Sequence, residues 1–163
     1  MFNGDSSEPE NPFVLLDMLD RNAEQVESLV SGLKESDCAR RPFPDRWSIR
    51  EQLTHFYDAQ LLLAARVSMM LAEDEPLLKS ATPYKTATET EGRPANTSQI
   101  LRLYKEARKT MTARLRDLPP VQLWRRGHHE DFGLVTIMHQ VKYFAHHEQS
   151  HMGSIAALRK ALV

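Results

Sequence analysis

The sequence predicts an all-α fold, a bundle of four helices. Along four long segments, apolar residues recur every three or four positions, which is the spacing of a helix with one buried face. Prolines lie between these segments and end them, and no segment shows the apolar–polar alternation of a half-buried strand. With 163 residues, 41% of them hydrophobic, the chain has the size of one domain with its own core.

The first helix is predicted from Pro12 to about Ser36. Asn11 has a side chain that can cap a helix, and proline is favoured at the first helical position that follows. The apolar residues of this helix recur every three or four positions: Phe13, Leu16, Leu19, Ala23, Val26, Leu29 and Leu33. Residues 1–11 are polar and acidic and are expected to form a flexible N-terminal tail, ahead of a bundle domain over residues 12–163.

Three further helices are predicted over about residues 48–74, 98–116 and 134–162. Ser48 and Glu51 have capping-box spacing at the start of the second helix, and the pair Pro119 and Pro120 follows the third. Residues 75–96, which connect the second helix to the third, form a longer connection than bundles usually need. We expect this connection to be either a crossover between distant helix ends or a functional flap.

Composition and charge restrict the classes of partner. A formal net charge of -1 leaves no basic excess for binding nucleic acid, and no apolar run is long enough to span a bilayer. The single cysteine, Cys38, rules out an internal disulfide framework and cannot form a sulfur-based metal site alone. We therefore expect a cytoplasmic protein with a small-molecule substrate and without nucleic-acid or membrane partners.

Residues 147–151 read HEQSH, the H-E-x-x-H pattern of zinc proteases. At about 100° per residue, both histidines and the glutamate of this pattern lie on or beside the apolar face of the fourth helix, whereas His139 and His146 point the opposite way. A buried imidazole needs a polar partner. A metal ion would be one such partner, and hydrogen bonds to neighbouring core residues would be another.

The rest of the sequence is inconsistent with a zinc protease. Such proteases take their third ligand from downstream residues, but residues 152–163 contain no histidine, aspartate or glutamate. They also align the substrate with a sheet edge, and no strand is predicted. Upstream, His55 borders a row of apolar residues on the second helix, Ile49, Phe56, Leu63 and Met70. Three histidines from two facing helices would leave a metal with open positions, as in catalytic sites.

The order of several short motifs is similar to that of one family. The string W-S-x-x-E-x-L-x-H-x-x-D is filled by Trp47, Ser48, Glu51, Leu53, His55 and Asp58, and H-x-x-x-H follows in the last helix. Together with the segment RRGHHEDFGLVTIMHQVKYFAHHEQSHMGSI, these motifs resemble the DinB/YfiT-like family of metal-binding four-helix bundles. The resemblance covers nearly the whole chain. Glu148 stands where the family usually has aspartate, and Ser154 stands where glutamine is common.

The resemblance implies an up-down-down-up bundle that forms homodimers and binds a divalent metal through His55, His147 and His151. Zinc or nickel is the expected ion, with iron or manganese as alternatives. Because characterised relatives include transferases and isomerases that use low-molecular-weight thiols, the resemblance also implies a thiol-dependent S-transferase or a related hydrolase, with such a thiol as cosubstrate. A non-catalytic metal-binding or stress-associated bundle is the alternative, and a metal-free structural bundle is a third.

No catalytic residue is assigned, but three residues are candidates for a role beside the metal. Glu148 would act as a base or orient a ligand, Arg66 would bind an anionic group, and His129 would line the mouth of the site. Each also has a simpler explanation. These are a hydrogen bond between Glu148 and a histidine, a solvated or ion-paired Arg66, and a surface loop that carries His129.

Overall fold

Four long α-helices form the core of the computed structural model, which describes residues 11–80 and 96–163. In chain order the helices are α1 (Pro12–Val30), the short α2 (Glu35–Ala39), α3 (Ile49–Ala72), α4 (Thr97–Asp117) and α5 (Ile137–Leu162), with a 3-10 turn at Pro120–Trp124. The predicted all-α four-helix bundle is therefore confirmed. No helix in the described ranges combines the length and the apolar character that a membrane crossing requires.

Hydrogen bonds between the helices show their relative directions. Arg159, near the end of α5, donates to backbone carbonyls at the end of α1, so these two helices run parallel. α3 and α4 also run parallel, because Gln60 contacts Arg108 and, further along both helices, Ser68 contacts Arg114. The bundle therefore contains two parallel pairs of helices.

The two parallel pairs run in opposite directions. Gln52, near the start of α3, contacts His151 in the second half of α5, whereas Arg66, near the end of α3, contacts Gln140 at the start of α5. α3 and α5 are therefore antiparallel. The resulting order, up-down-down-up, is the one that the sequence predicts.

The parallel arrangement of α3 and α4 means that the connection between them joins opposite ends of the bundle. This agrees with the predicted crossover. Residues 81–95 of the connection lie outside the described residues, as do residues 1–10 of the predicted tail. The flap and the flexible tail therefore stay predictions.

Local sequence accounts for the ends of the helices. The predicted capping box is present at the start of α3, where the Ser48 side chain accepts from the Glu51 backbone and the Glu51 carboxylate accepts from Ser48 N. α1 ends at Val30 rather than near Ser36, the predicted end. Gly32, with a φ of 78°, turns the chain there, and the short α2 follows.

A small three-stranded sheet beside the bundle was not predicted. Its strands are β1 (Leu77–Leu78), β2 (Arg126–His129) and β3 (Gly133–Thr136), in the order β1-β2-β3, with β1 parallel and β3 antiparallel to β2. Strands of two and four residues are too short to show an alternating pattern. Because β3 takes up the preceding residues, α5 begins at Ile137 rather than at Leu134, the predicted start.

Gly127 allows this sheet to lie close to α3. A Cβ atom at this position would lie 2.9 Å from Cδ1 of Leu78 and 3.1 Å from Cγ of Met70, which is tighter than ordinary carbon contacts. A side chain would therefore push β2 away from α3. The close approach brings His129, at the end of β2, to the same cavity wall as side chains of α3 and α5.

The hydrophobic core fills the space between the four long helices. Its fully buried side chains include Leu16, Leu53, Tyr104 and Ile137, one from each of these helices. Burial of an apolar side chain of this size contributes about 1.5–3 kcal/mol relative to leaving it exposed. This packing holds α3 and α5 face to face, and the candidate site lies between them.

Candidate metal centre

The three histidines predicted as metal ligands lie together between α3 and α5. We call His55, His147 and His151 the histidine cluster. One ring nitrogen from each lies within 4.8 Å of the other two. The ring centroid of His55 is 4.6 Å from that of His151 and 5.1 Å from that of His147. This spacing is close enough for all three rings to bind one ion after small rotations.

Helix geometry brings the cluster together. His147 and His151 are one turn apart on α5, so they share a face, and His55 approaches that face from α3. His139 and His146 on the same helix are exposed, as predicted. His139 instead belongs to the capping box at the start of α5.

Gln52 orients one ring of the cluster, and the sequence analysis missed this residue. Its Oε1 atom lies 2.6 Å from Nδ1 of His151, where it accepts a hydrogen bond if that nitrogen carries the proton. The Nε2 atom of His151 is then free to bind a metal. The available signal was position, since Gln52 precedes His55 by three residues and thus shares its helix face.

Aromatic rings cover the cluster on two sides. The Trp47 ring is stacked on His151 with 6.4 Å between centroids and an interplanar angle of 16°, and it meets His55 edge-on at 5.3 Å. The Tyr143 ring is stacked on His147 at 5.9 Å and 9°. These contacts restrict the orientations of the imidazoles and exclude part of the solvent.

All three histidines have lowered pKa values. Burial lowers the pKa of His55 to about 3, with further contributions from His151 and His147. Burial also lowers the pKa of His147, and burial together with His147 lowers that of His151. The rings are therefore neutral at pH 7, as metal ligation requires. Nδ1 of His147 is buried and has no hydrogen-bond partner among the described residues, so it is available to a ligand.

Glu148 lies between two of these histidines in sequence but contacts a different helix. Its carboxylate is 2% exposed and accepts hydrogen bonds from Nη2 of Arg108, at 2.7 Å, and from the Tyr104 hydroxyl. Burial raises the pKa of this carboxyl, and the Arg108 guanidinium opposes that shift. Both oxygens are engaged on α4, whereas the sequence analysis considered a hydrogen bond to a histidine.

Arg108 connects all four long helices. Besides Glu148 on α5, its guanidinium donates to the Leu19 carbonyl on α1 and, at 2.6 Å, to Oε1 of Gln60 on α3. We call Arg108, Tyr104, Gln60 and Glu148 the Arg108 network. The sequence analysis missed it. The signal was the position of Arg108 four residues after Tyr104, on the apolar stripe of α4.

Two cavities lie on opposite members of the histidine cluster. The Trp47 cavity, of 410 Å³, is lined by His151, Trp47, Phe43, Arg46, Gln52, Ser154, Leu158 and their neighbours. The Arg66 cavity, of 230 Å³, is lined by His147, Arg66, His129, Gln140, Phe132, Tyr143, Asp131 and their neighbours. A larger groove of 980 Å³ between α1 and α4 contains no residue of the histidine cluster.

Arg66 and His129 both line the second cavity, and both are more buried than their simpler explanations required. Arg66 is 6% exposed and donates to Oε1 of Gln140, at 2.9 Å, and to the Lys79 carbonyl, at 2.8 Å, so it is not a solvated surface side chain. His129 is equally buried and lies on β2, not in a surface loop. Its ring packs against Phe132 at 4.8 Å.

Comparisons with known proteins agree with this architecture. The family model described as the DinB superfamily matches residues 18–155. A protein of Oceanobacillus iheyensis named "Putative metal-dependent hydrolase" is 26% identical over 118 residues, which cover 70% of this chain and 66% of that protein. The structure of YfiT from Bacillus subtilis, titled a probable metal-dependent hydrolase with an unusual four-helix bundle topology, has a TM-score of 0.80 at 21% identity, covering 96% of this chain and 90% of that one.

Proposed function

This chain belongs to the DinB superfamily, and on that premise we propose that it is a metal-dependent enzyme acting on a small molecule, with His55, His147 and His151 as ligands of a divalent ion. The observation that carries the proposal is a cluster of three neutral, inward-facing imidazoles between two cavities. The names of the two similar proteins, both described as metal-dependent hydrolases in candidate form, support it.

The donor set favours a site with open positions. Among the described residues, no carboxylate or cysteine joins the three histidines at that spacing. Glu148 is held by the Arg108 network, and Glu51 is held by Ser48 and Arg41. A closed structural zinc site has four protein ligands, whereas three ligands leave room for a reactant. An ion held in this way supplies a nucleophile at neutral pH by lowering the pKa of a water or thiol.

The surrounding residues prepare the site for such a reactant. Gln52 holds the proton of His151 on Nδ1, so the other nitrogen keeps its lone pair. Trp47 and Tyr143 stack on two of the rings and limit their rotation. Preorganised ligands need no rearrangement when the substrate arrives, which favours catalysis.

The finer proposal is transfer to or from a low-molecular-weight thiol, with hydrolysis as its near alternative. Thiol transfer requires room for two organic molecules, whereas hydrolysis requires one molecule and water. The two cavities reach different histidines, His151 in one and His147 in the other, and so provide that room. In the transfer, the thiolate forms a carbon–sulfur bond, the leaving group departs with the bonding electron pair, and the thiol proton passes to solvent.

The test begins with elemental analysis of protein purified without a histidine tag. The metal-loaded protein is then assayed with electrophiles, each with and without a thiol. We expect metal-dependent consumption of an electrophile that requires the thiol. Turnover without thiol would favour the hydrolase. Bound metal without any turnover would favour a non-catalytic metal-binding bundle, the alternative that the sequence left open.

A zinc-protease activity is not part of the proposal. The Glu148 carboxylate, which would be the general base of a protease, is bonded to Arg108 and Tyr104. We expect no cleavage of casein by the metal-loaded wild type. Metal-dependent casein cleavage that is lost in Glu148→Gln, with metal retained, would overturn this expectation.

A further inference from the structure

We propose that the Arg66 cavity is a subsite for the carboxylate of a small organic substrate. The inference rests on the proposed function in one respect: it places the rest of that substrate beside His147, which lines the same cavity. It deepens that function by naming the chemical class of one reactant, a carboxylic acid whose reactive end points towards the histidine cluster.

The guanidinium of Arg66 is held in the cavity wall in a fixed position. It is 6% exposed and donates to Oε1 of Gln140, at 2.9 Å, and to the backbone carbonyl of Lys79, at 2.8 Å. Both acceptors are neutral, so these two bonds orient the group without cancelling its charge. A planar guanidinium binds a carboxylate through paired hydrogen bonds, and a fixed one loses little side-chain entropy on binding.

The charge balance of the cavity favours an anion at Arg66. Asp131 also lines the cavity, but it is exposed, and water screens its charge. Arg66 is buried, where a charge acts more strongly on its neighbours. The pKa of His129 reflects this, because burial and then Arg66 lower it, while Asp131 and Glu130 act in the opposite direction. The neutral His129 adds a polar wall rather than a second charge.

The shape of the cavity limits the size of the acid. Its volume is 230 Å³, and Phe132, Tyr143 and Phe144 form an apolar part of its wall. Tyr143 also stacks on His147, so this wall leads from the cavity to the histidine cluster. A small acid with a flat, unsaturated skeleton would contact Arg66 at one end and reach His147 at the other.

The test compares benzoate with benzamide, which has nearly the same shape but no charge. Binding of each to the full-length, metal-loaded protein is measured by isothermal titration calorimetry, and the titrations are repeated after metal removal because a metal also binds carboxylates. We expect benzoate to bind at least about tenfold more tightly than benzamide in both forms, since a charge-assisted hydrogen bond is worth about that factor or more. Equal binding of the two compounds would overturn the proposal without any variant.

Variants assign the preference to Arg66. Arg66→Gln should lose the tenfold preference, Arg66→Lys should keep part of it, and the matched control Arg114→Gln, at an exposed arginine bonded to Ser68, should keep all of it. Circular dichroism melting confirms that each variant is folded. A preference that survives in folded Arg66→Gln would contradict the assignment.

The outcomes for the subsite and for the proposed function are separate. If the benzoate preference depends on Arg66 but no electrophile is turned over, the subsite stands and the enzyme proposal fails. If thiol-dependent turnover is found but benzoate and benzamide bind equally, the enzyme proposal stands and the subsite fails.

Discussion

The histidine cluster and the Arg108 network are two buried polar groups that share α5 but differ in how their atoms are satisfied. Glu148 follows His147 directly, yet successive helical residues point about 100° apart. Its carboxylate therefore faces α4, where Arg108 and Tyr104 bond both oxygens, while the neighbouring histidine faces His55 on α3. The glutamate of the HEQSH pattern is thus separated from the histidines by the helix itself.

This difference distinguishes a structural polar group from a functional one. The network joins an acid to a base and hydrogen-bond donors to acceptors, so its partners complete one another. The cluster brings three groups of the same kind together, and their pKa values fall in consequence. Like groups held at close range in the interior gain most from a ligand that binds all of them at once.

The largest expected effect is on stability, at the centre of the Arg108 network. Arg108→Met should lower the free energy of unfolding by about 3–5 kcal/mol, because it leaves the Glu148 carboxylate buried without its cation. The double variant Arg108→Met/Glu148→Met should recover much of the loss, since both charges are then absent. Urea denaturation measures the change.

The exposed Arg114 on the same helix gives the matched control for that experiment. Arg114→Met should remain within about 0.5 kcal/mol of the wild type. If Arg108→Met were equally mild, the network would not have the structural role assigned to it.

The next effect is on metal content, at the histidine cluster. Alanine at His55, His147 or His151 should each remove most of the bound metal, because two ligands seldom hold a divalent ion tightly. Alanine at the exposed His139 or His146 should leave metal content near that of the wild type. Elemental analysis of the five variants decides the matter, and similar losses at all five positions would contradict the placement of the cluster.

A smaller effect is expected where Gln52 supports the cluster. Gln52→Leu should weaken metal affinity by about 10–100-fold, since His151 loses the partner that holds its proton and its orientation. Competition with a chelator measures the affinity. Gln149→Leu, at an exposed glutamine of α5, is the control and should not change it. Unchanged affinity in the Gln52 variant would mean that the hydrogen bond does not orient the ligand.

The smallest effect is the pH dependence of the metal-free protein. The pKa of His55 is lowered from 6.5 to about 3, so between these values the unfolded chain binds a proton there that the folded protein does not. The free energy of unfolding should therefore decrease as the pH falls through this window, by less than about 1.4 kcal/mol per pH unit because nearby solvent screens part of the effect.

Urea denaturation at a series of pH values tests this, with His55→Phe as the comparison. The variant should show a shallower decrease, because it has no ring to protonate at this position. An equally steep decrease in the variant would assign the pH dependence to other groups, such as the carboxylates that titrate in the same range.

Periodicity was sufficient to predict the four long helices and the histidine cluster. Those features depend on spacing within one helix, and His147 and His151 declare their shared face by being one turn apart. Residues whose role depends on another helix were missed. Arg108 contacts α1, α3 and α5 only after the bundle assembles, and the short strands β1–β3 exist because of pairing that no single segment encodes.

The candidate roles of Arg66 and His129 show the same limit. The sequence placed Arg66 on the stripe that carries His55, but its partners Gln140 and Lys79 lie on other parts of the chain. The burial of His129 depends on Gly127, which allows β2 to approach α3. Solvation or burial of a polar side chain is a property of the assembled structure, so the sequence left these alternatives open.

The division of the cluster between α3 and α5 has a consequence for biosynthesis. Gln52 and His151, which contact each other in the finished site, are 99 residues apart. During translation, the nascent chain carries His55 long before it carries the other two histidines, and a single imidazole holds a divalent ion weakly. The ion can be captured only after α5 has left the ribosome and docked, so metallation reports on completion of the fold rather than guiding its early steps.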